Sequence, residues 1–386
     1  MSGRLQLIPT SSPAWADWLE PTHHDFYHGA AYHHFEEKQG HGEAWLAVFG
    51  SRDQFLAWPY LVRPIDQGLG CKETGLRDVG SVEGYAGPVV FGCSPGDPFL
   101  RLACQALQEH WKAIGAVSVF CRFHPLLENH RWAEMLPAST PAATPDCERR
   151  EIQVKLEGHT VSLDLALTQE EAWSQYRDTH RRHMNRARRA DLVSESDDHF
   201  EKLADFMRLY YSTMHRNRAA PHYFFDIHFV EGLREALAPA VFLHVAHIGT
   251  TVAAAVLVSE YRGIVQYLFG GVENEFYTIS PLKLLLEDVR KWGSSRGNSV
   301  LHLGGGRGGH EDSLFYFKAG FSPRRHPFYT GRWILDPDRY RWLSEERTKQ
   351  ARVLAKNLDL NFFPAYRAPF VEAEALKGAL ANGCRS

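Results

Sequence analysis

The chain has 386 residues, a length that favours two domains over one. Hydrophobic residues make up 44% and charged residues 23%, which excludes a disordered or a bilayer-embedded chain and fits a globular protein. The formal net charge of -3 excludes a globally basic nucleic-acid binder, so any anion has to be met by a local patch.

The N-terminal residues, MSGRLQLIPTSSPAW, lack the apolar core and small-residue cleavage pattern of a signal peptide. No run approaches the roughly 18 apolar residues that span a bilayer, so a cytoplasmic location is expected. Six cysteines at irregular spacing, with no C-x-x-C pair, argue for reduced thiols over a disulfide framework or a zinc knuckle.

Trp15 to Glu37 reads as helical and carries His23, His24, His33 and His34. Without a convergent carboxylate or Cys partner, these read as surface and groove histidines, and no metal is expected. Ala44–Phe49 and Gln54–Val62 form a hairpin pattern around a Gly-Ser-Arg-Asp turn. DVGSVEGYAGPVVFG then sets Tyr85, Gly87 and Pro88 in a turn beside a strand. A helix over Pro98–Ile114 and a strand over Val117–Phe123 follow. The first half is thus an α+β unit. Leu136 to Arg149, rich in Pro, Ala, Ser and Thr, reads as a connection between domains.

Thr160–Leu165 reads as a strand, and Thr168-Gln-Glu-Glu as a capped helix start. The helix beyond it carries the chain's notable basic run, from His180 to Arg189. Arg182, Arg186 and Arg189 fall on one helical face at spacings of 4 and 3, where guanidinium forks can converge on phosphate oxygens or simply form a solvated face. Phe200–His215 and the stretch from Tyr223 to Leu237 are helical, Val241–Ala246 and Thr251–Ser259 form a hairpin, and Gly263–Phe269 is the next strand. Ser280-Pro281 opens a helix that runs to Ser294. Then comes LHLGGGRGGHEDSLFYFKAGF at 301–321: a strand, five glycines around Arg307, and a helical turn ending in Lys318. Glycines such as Gly305 allow close backbone approach to a ligand. A P-loop would need Lys-Ser/Thr after them, and a Rossmann turn would need a βαβ unit, so neither nucleotide motif is present.

The motifs GYAGPVV at 84–90, FCRFHPL at 120–126, HRRHMNRARRADL at 180–192, TMHRNRAAPHYFF at 213–225, QYLFGG at 266–271, SPLKLLL at 280–286, HLGGG at 302–306 and FYFKAGF at 315–321 stand in the order of one family. Through them the chain resembles the Fem aminoacyltransferases of the GNAT superfamily over roughly residues 15 to 343. The resemblance implies an α+β fold class with two GNAT-like acyltransferase domains, each a mixed, mostly antiparallel sheet flanked by helices. Their expected extents are 1–150 and 151–345, the second holding the cleft, with a C-terminal extension at 346–386. Fem members move an amino acid from aminoacyl-tRNA to an amine of a peptidoglycan precursor. The implied activity is therefore aminoacyl or acyl transfer to an amine on a cell-wall or envelope precursor with a nucleotide-diphosphate or sugar part. The implied partners are an aminoacyl-tRNA or acyl thioester donor and an amine acceptor, with no cofactor. An acyl-CoA-dependent N-acetyltransferase acting on an amino sugar or amino acid, and a catalytically silent module, remain open.

Two departures narrow this expectation. The helical arm of some Fem proteins has no room between Met214 and Phe224. The Q/R-x-x-G-x-G/A loop that cradles the CoA pyrophosphate is replaced by GGVENEFYTISPLK, which favours a donor other than CoA. Lys318, in the family's Phe-Lys position, is expected to stabilise the oxyanion or the leaving group. Asp312, Glu311 and His302 are the candidate bases. Arg216, Arg218 and Tyr223 sit where the family holds a substrate diphosphate. Tyr85, Gly87, Tyr267, Gly305 and Arg307 are expected to line the substrate, and Arg182, Arg186 and Arg189 to meet phosphates or tRNA.

Overall fold

The computed structural model describes residues 3–65, 75–136 and 153–371. The connection read at 136–149 lies, apart from Leu136, outside the described residues, as do Cys71, Cys147 and Cys384. Cys93, Cys104 and Cys121 are free thiols, and burial pushes all three up from the usual thiol range.

The chain separates into two compact units. The first comprises residues 1–23, 27–156 and 329–386, and the second residues 24–26 and 157–328. The boundary expected at 345 therefore falls at Phe328–Tyr329, and the C-terminal residues described, to Val371, belong to the first unit. A sequence boundary drawn from composition cannot see such a return, because the last strand of the first unit is supplied after the second unit is complete.

The first unit runs β1 (Leu5–Pro9), α1 (Ala14–Leu19), α2 (Ala30–Lys38), β2 (Glu43–Gly50), β3 (Phe55–Pro64), β4 (Arg77–Gly80), β5 (Val89–Phe91), α3 (Pro98–Ala113), β6 (Ala116–Arg122) and α4 (His130–Ala133). The helix expected over 15–37 is broken into α1 and α2, with a single 3-10 turn at Phe26–His28 between them, just beyond Pro21. Its histidines also differ from expectation: His24 and His33 are buried, and His33 accommodates burial with a pKa lowered to about 4.

The second unit runs β7 (Val154–Asp164), α5 (Gln169–Gln175), α6 (Asp178–Arg189), β8 (Val193–Asp197), α7 (Leu203–Arg216), α8 (Ile227–Leu237), β9 (Val241–Ile248), β10 (Thr251–Tyr261), β11 (Ile264–Val272), α9 (Pro281–Ser295), β12 (Val300–Gly305) and α10 (Ser313–Lys318). The chain then returns through β13 (Arg325–Ile334) and α11 (Pro337–Val353) to the first unit.

The two units repeat one topology. In the first, β1, β2, β3 and β4 pair antiparallel in sequence, β4 pairs parallel with β6, and β6 pairs antiparallel with β13. In the second, β8, β9, β10 and β11 pair antiparallel, β11 pairs parallel with β12, and β12 pairs antiparallel with β7. Among the described strands, each unit thus has one parallel pair, reached through a crossover helix that starts with proline: α3 in one unit and α9 in the other.

In the second unit that parallel pair is short. β11 and β12 match only at Ile264–Val300, Val265–Leu301 and Gln266–His302, after which β11 runs on to Val272 and β12 to Gly305 without partnering each other. The strands part because β12 turns to β7 through a register shift between His302 and Gly304, where Gly304 takes φ 74°. Below the parting, Val256, Val258, Val265, Leu285, Val289 and Leu301 form a dry core. Above it lies the cleft.

Candidate active site

The cleft of the second unit has a volume of about 410 Å³. Its walls come from four places. Tyr267, Gly270 and Val272 stand on β11 beyond the last paired residue. Thr213 and Arg216 come from the end of α7, and Ser280 to Lys283 from the first turn of α9 with His183 of α6 behind it. Arg307, Leu314 and Phe317 close the side that follows β12. No carboxylate lines this cleft, whereas His183, Arg216, Lys283 and Arg307 do. Aromatic rings and methyl groups between these basic side chains suit a ligand that is anionic at one end and apolar at another.

Lys318 is buried, and its ammonium donates to the carbonyl of Gly305 at 2.7 Å. It lies 5.8 Å from the centre of the Tyr267 ring, one layer behind the cleft wall that this ring forms. Burial lowers its pKa to about 8, with Asp312 acting weakly in the other direction. The Phe-Lys signature thus sets a positive charge under the point where the strands part.

The glycine loop differs from the expectation of open room for a substrate. A methyl group on Gly305 would stand 2.8 Å from the carbonyl of His159. One on Gly306 would strike the carbonyl of His310, and one on Gly158 would strike that of Gly309. These glycines let the loop fold against β7 and against itself, with Gly308 and Gly309 at positive φ. The Gly305 carbonyl accepts from Lys318, and Gly305 is not among the residues that line the cleft.

Two of the candidate bases likewise have partners within the protein. Asp312 is the N-cap of α10, accepting from the backbone N–H groups of Leu314 and Phe315 at 3.1 and 3.0 Å, while its second oxygen accepts from Arg307 Nε at 2.7 Å. Burial would raise its pKa, but the Arg307 guanidinium and these N–H groups hold it below the usual carboxylate range. His302 is fully buried between two partners, Gln266 at 2.7 Å and Thr160 at 2.8 Å, and Gln266 donates in turn to Asp25 at 2.7 Å. That chain of contacts fastens β12 to β11 and β7, and none of its members lines the cleft. Glu311 is exposed, 3.7 Å from His159.

Among the other expected residues, Arg216, Tyr267 and Arg307 line the cleft, and Arg216 spans Asn274, Thr213 and the Tyr277 ring. Arg218, at φ 50°, and Tyr223 are exposed beyond the end of α7 and are not part of the cleft wall. Tyr85 and Gly87 belong to the first unit, where Tyr85 meets the rings of Tyr27 and His124 and Gly87, at φ 103°, packs against Asn129. Arg182, Arg186 and Arg189 lie on the exposed face of α6, with His180, Met184 and Ala187 on its buried face. Arg186 reaches the carbonyl of Thr278 at 3.3 Å, just before α9.

Two side chains of the cleft escaped the sequence reading. Lys283 is only 9% exposed, and its ammonium donates to Nδ1 of His183 at 2.7 Å. Ser280 Oγ lies 3.4 Å from the same nitrogen. Burial lowers the Lys283 pKa to about 8, and burial together with Lys283, Arg186 and Arg182 lowers that of His183. SPLKLLL places this lysine within an apolar run, but its burial depends on α6, which is distant in sequence.

Splayed parallel strands, a crossover helix at the mouth of the splay and a basic, aromatic cleft between them define a GNAT-type domain. Residues 174–319 match the family model described as "Acetyltransferase (GNAT) domain". The overall fold is FemX-like: the chain superposes on a crystal structure of FemX with a TM-score of 0.61 and 13% identity, covering 88% of this chain and 99% of that one. Further similar structures are L-PGS from Bacillus licheniformis (TM-score 0.48, 12% identity, 90% and 97% covered) and a tandem GNAT protein from the clavulanic acid biosynthesis pathway (TM-score 0.42, 12% identity, 85% and 98% covered). No curated protein matches the sequence. Among the described residues, no helix is long and apolar enough to cross a membrane.

Proposed function

We propose that the chain transfers an acyl or aminoacyl group from an activated ester or thioester to an amine, at the cleft of the second unit. The observation that carries this reading is the cleft itself: it opens where β11 and β12 part, is basic and aromatic, and has Lys318 fixed behind Tyr267. Attack of a neutral amine on the donor carbonyl creates a tetrahedral oxyanion, and a fixed positive charge in a water-poor site lowers that barrier. Lys318 supplies the charge, while Arg216 and Arg307 hold the anionic part of donor or acceptor. The acceptor is a cell-envelope precursor carrying phosphate, and the donor is an aminoacyl-tRNA whose backbone meets Arg182, Arg186 and Arg189.

A second reading has its own support. The first turn of α9 forms part of the wall, which brings a helix N-terminus to the cleft, as a CoA pyrophosphate would require. Ligand-induced thermal stabilisation separates the two donors. Stabilisation by aminoacyl-tRNA with transfer to an amine, seen by mass spectrometry, supports the first. Stabilisation by micromolar acetyl-CoA alone replaces it with the second. No stabilisation and no transfer with either donor removes both.

A further inference from the structure

The acceptor amine has to lose a proton, yet two of the acceptors in the sequence reading are occupied: the half-buried Asp312 caps α10 and the buried His302 is locked within the sheet. Among the cleft's lining residues, the titratable side chains besides arginine are Tyr267, Tyr277, His183 and Lys283. Tyr267 is moved further from physiological pH by burial, which pushes its hydroxyl up. Tyr277 is exposed at the mouth, with the Arg216 guanidinium 4.9 Å from its ring centre. Lys283 and His183 remain, and they share a hydrogen bond.

Basic and apolar side chains surround this pair, with the Ser280 hydroxyl as a neutral polar neighbour 3.4 Å from His183 Nδ1. From α6, His180, Arg182 and Arg186 face it; from α10, the Phe317 ring lies 6.0 Å from Lys283 Nζ. Across the cleft stand Arg216 and Arg307. The nearest acid along α9 is Glu287, one turn on, whose carboxylate is already bound by Arg290, Tyr176 and Gln169. With no carboxylate to compensate it, the pair cannot carry two charges at 2.7 Å, so one proton is held between two nitrogens. The fold does not ask for a lysine here. In the topologically equivalent helix of the first unit, the residue two places after the leading proline is Leu100, fully buried.

We propose that Lys283 is the proton acceptor of the transfer reaction and that His183 is its positioning residue, holding the ammonium form by accepting at Nδ1. This rests on the reading of the second unit as an acyltransferase. As the acceptor nitrogen bonds to the donor carbonyl carbon, its surplus proton passes to the neutral Lys283 amine. As the tetrahedral intermediate collapses and the carbon–oxygen or carbon–sulfur bond breaks, the Lys283 ammonium returns that proton to the departing oxygen or sulfur. Nothing else is consumed. A lysine that loses its proton near pH 8 suits this exchange, since both forms are populated close to neutrality.

The test has two arms. In the first, full-length protein is acetylated with sulfo-NHS-acetate from pH 6 to 11, and the rate at Lys283 is read by peptide mass spectrometry against the exposed Lys202. Lys283 is expected to titrate with a midpoint near 8, and the midpoint is expected to fall in His183→Leu, because the charged form loses its acceptor. A midpoint above 10, or one that His183→Leu leaves unchanged, overturns the pair. In the second arm, turnover with acetyl-CoA and with alanyl-tRNA as donors is followed against pH in the wild type and in Lys283→Met, whose folding is checked by its melting curve. Loss of the alkaline-rising limb with at least a ~100-fold fall in kcat and little change in acceptor KM supports the proposal. A Lys283→Met enzyme with the wild-type pH profile and rate overturns it while leaving the acyltransferase reading in place. The expected titration without transfer from either donor keeps the pair and rejects the acyltransferase reading.

Discussion

The ammonium of Lys318 and the carbonyl of Gly305 meet at 2.7 Å, so the last residue of α10 is fastened to the last residue of β12. The glycine loop between them is closed by this bond and by the Arg307–Asp312 ion pair. Lys318 has its pKa lowered from 10.5 to about 8 by burial, so between these values the unfolded chain binds the proton more tightly than the folded one. Stability is therefore expected to rise with pH across this window, by on the order of 3 kcal/mol for a full shift. Denaturant melts at pH 7.5 and 10 are expected to show a smaller rise in Lys318→Met than in the wild type. The same substitution is expected to lower transfer by at least ~100-fold, the scale of one lost oxyanion partner.

His302→Leu tests whether the Asp25–Gln266–His302–Thr160 chain is structural. It deprives Gln266 and Thr160 of a buried partner, and a loss of roughly 1–3 kcal/mol per affected group is expected in urea unfolding. At a temperature where the variant is folded, its kcat is expected to stay within about threefold of the wild type. A fall of a hundredfold in well-folded protein would return His302 to the chemistry.

Glu287 and Arg290 form an ion pair with almost no exposure, joined by Tyr176 and Gln169. Burial alone would raise the Glu287 pKa, but the hydrogen bonds from Arg290, Tyr176 and Gln169 hold it below 4.5. Its contribution is present above the unfolded value and lost as pH falls through the folded one. Glu287→Gln leaves the Arg290 charge without its counter-ion, and a loss of about 3–5 kcal/mol at pH 7 is expected. Unfolding curves at pH 7 and 4 are expected to differ less in this variant than in the wild type.

The exposed arginines of α6 give a salt test of the tRNA reading. Replacing Arg182, Arg186 and Arg189 by glutamine is expected to weaken aminoacyl-tRNA binding and to reduce the slope of log K against log salt by about 2–3. Acetyl-CoA binding would then be little changed. An unaltered slope would remove this helix face from nucleic-acid contact.

Most of the order of elements in the second unit was legible from helix and strand periods between Thr160 and Phe321, though not the break between α5 and α6 or the polar strand β8; the Phe-Lys and glycine motifs led to the residues that frame the splay. The role of Asp312 was legible too: Asp-Ser-Leu-Phe is a helix start, and a capping reading would have kept it from the list of bases. Lys283 was hidden for a different reason. A lysine three residues into a helix reads as solvated, and its burial comes from α6 lying over α9, a contact far apart in sequence. Nor could spacing reveal that His302 faces Gln266 and Thr160, since both partners are brought in by neighbouring strands. The return of the chain to the first unit after Phe328 is likewise a matter of pairing, carried by the Thr330–Ile334 register with β6.

At Gly271, β11 lies against the bare backbone of α7: a single added methyl group would collide with the carbonyl carbon and oxygen of Leu209. The helix that delivers Thr213 and Arg216 is thus spaced from the strand that delivers Tyr267 by main chain alone. One rim of the cleft behaves as a fixed jaw. Any change of ligand size during divergence or engineering has to be absorbed on the opposite rim, where Leu282, Leu314 and Phe317 can be exchanged without moving a backbone.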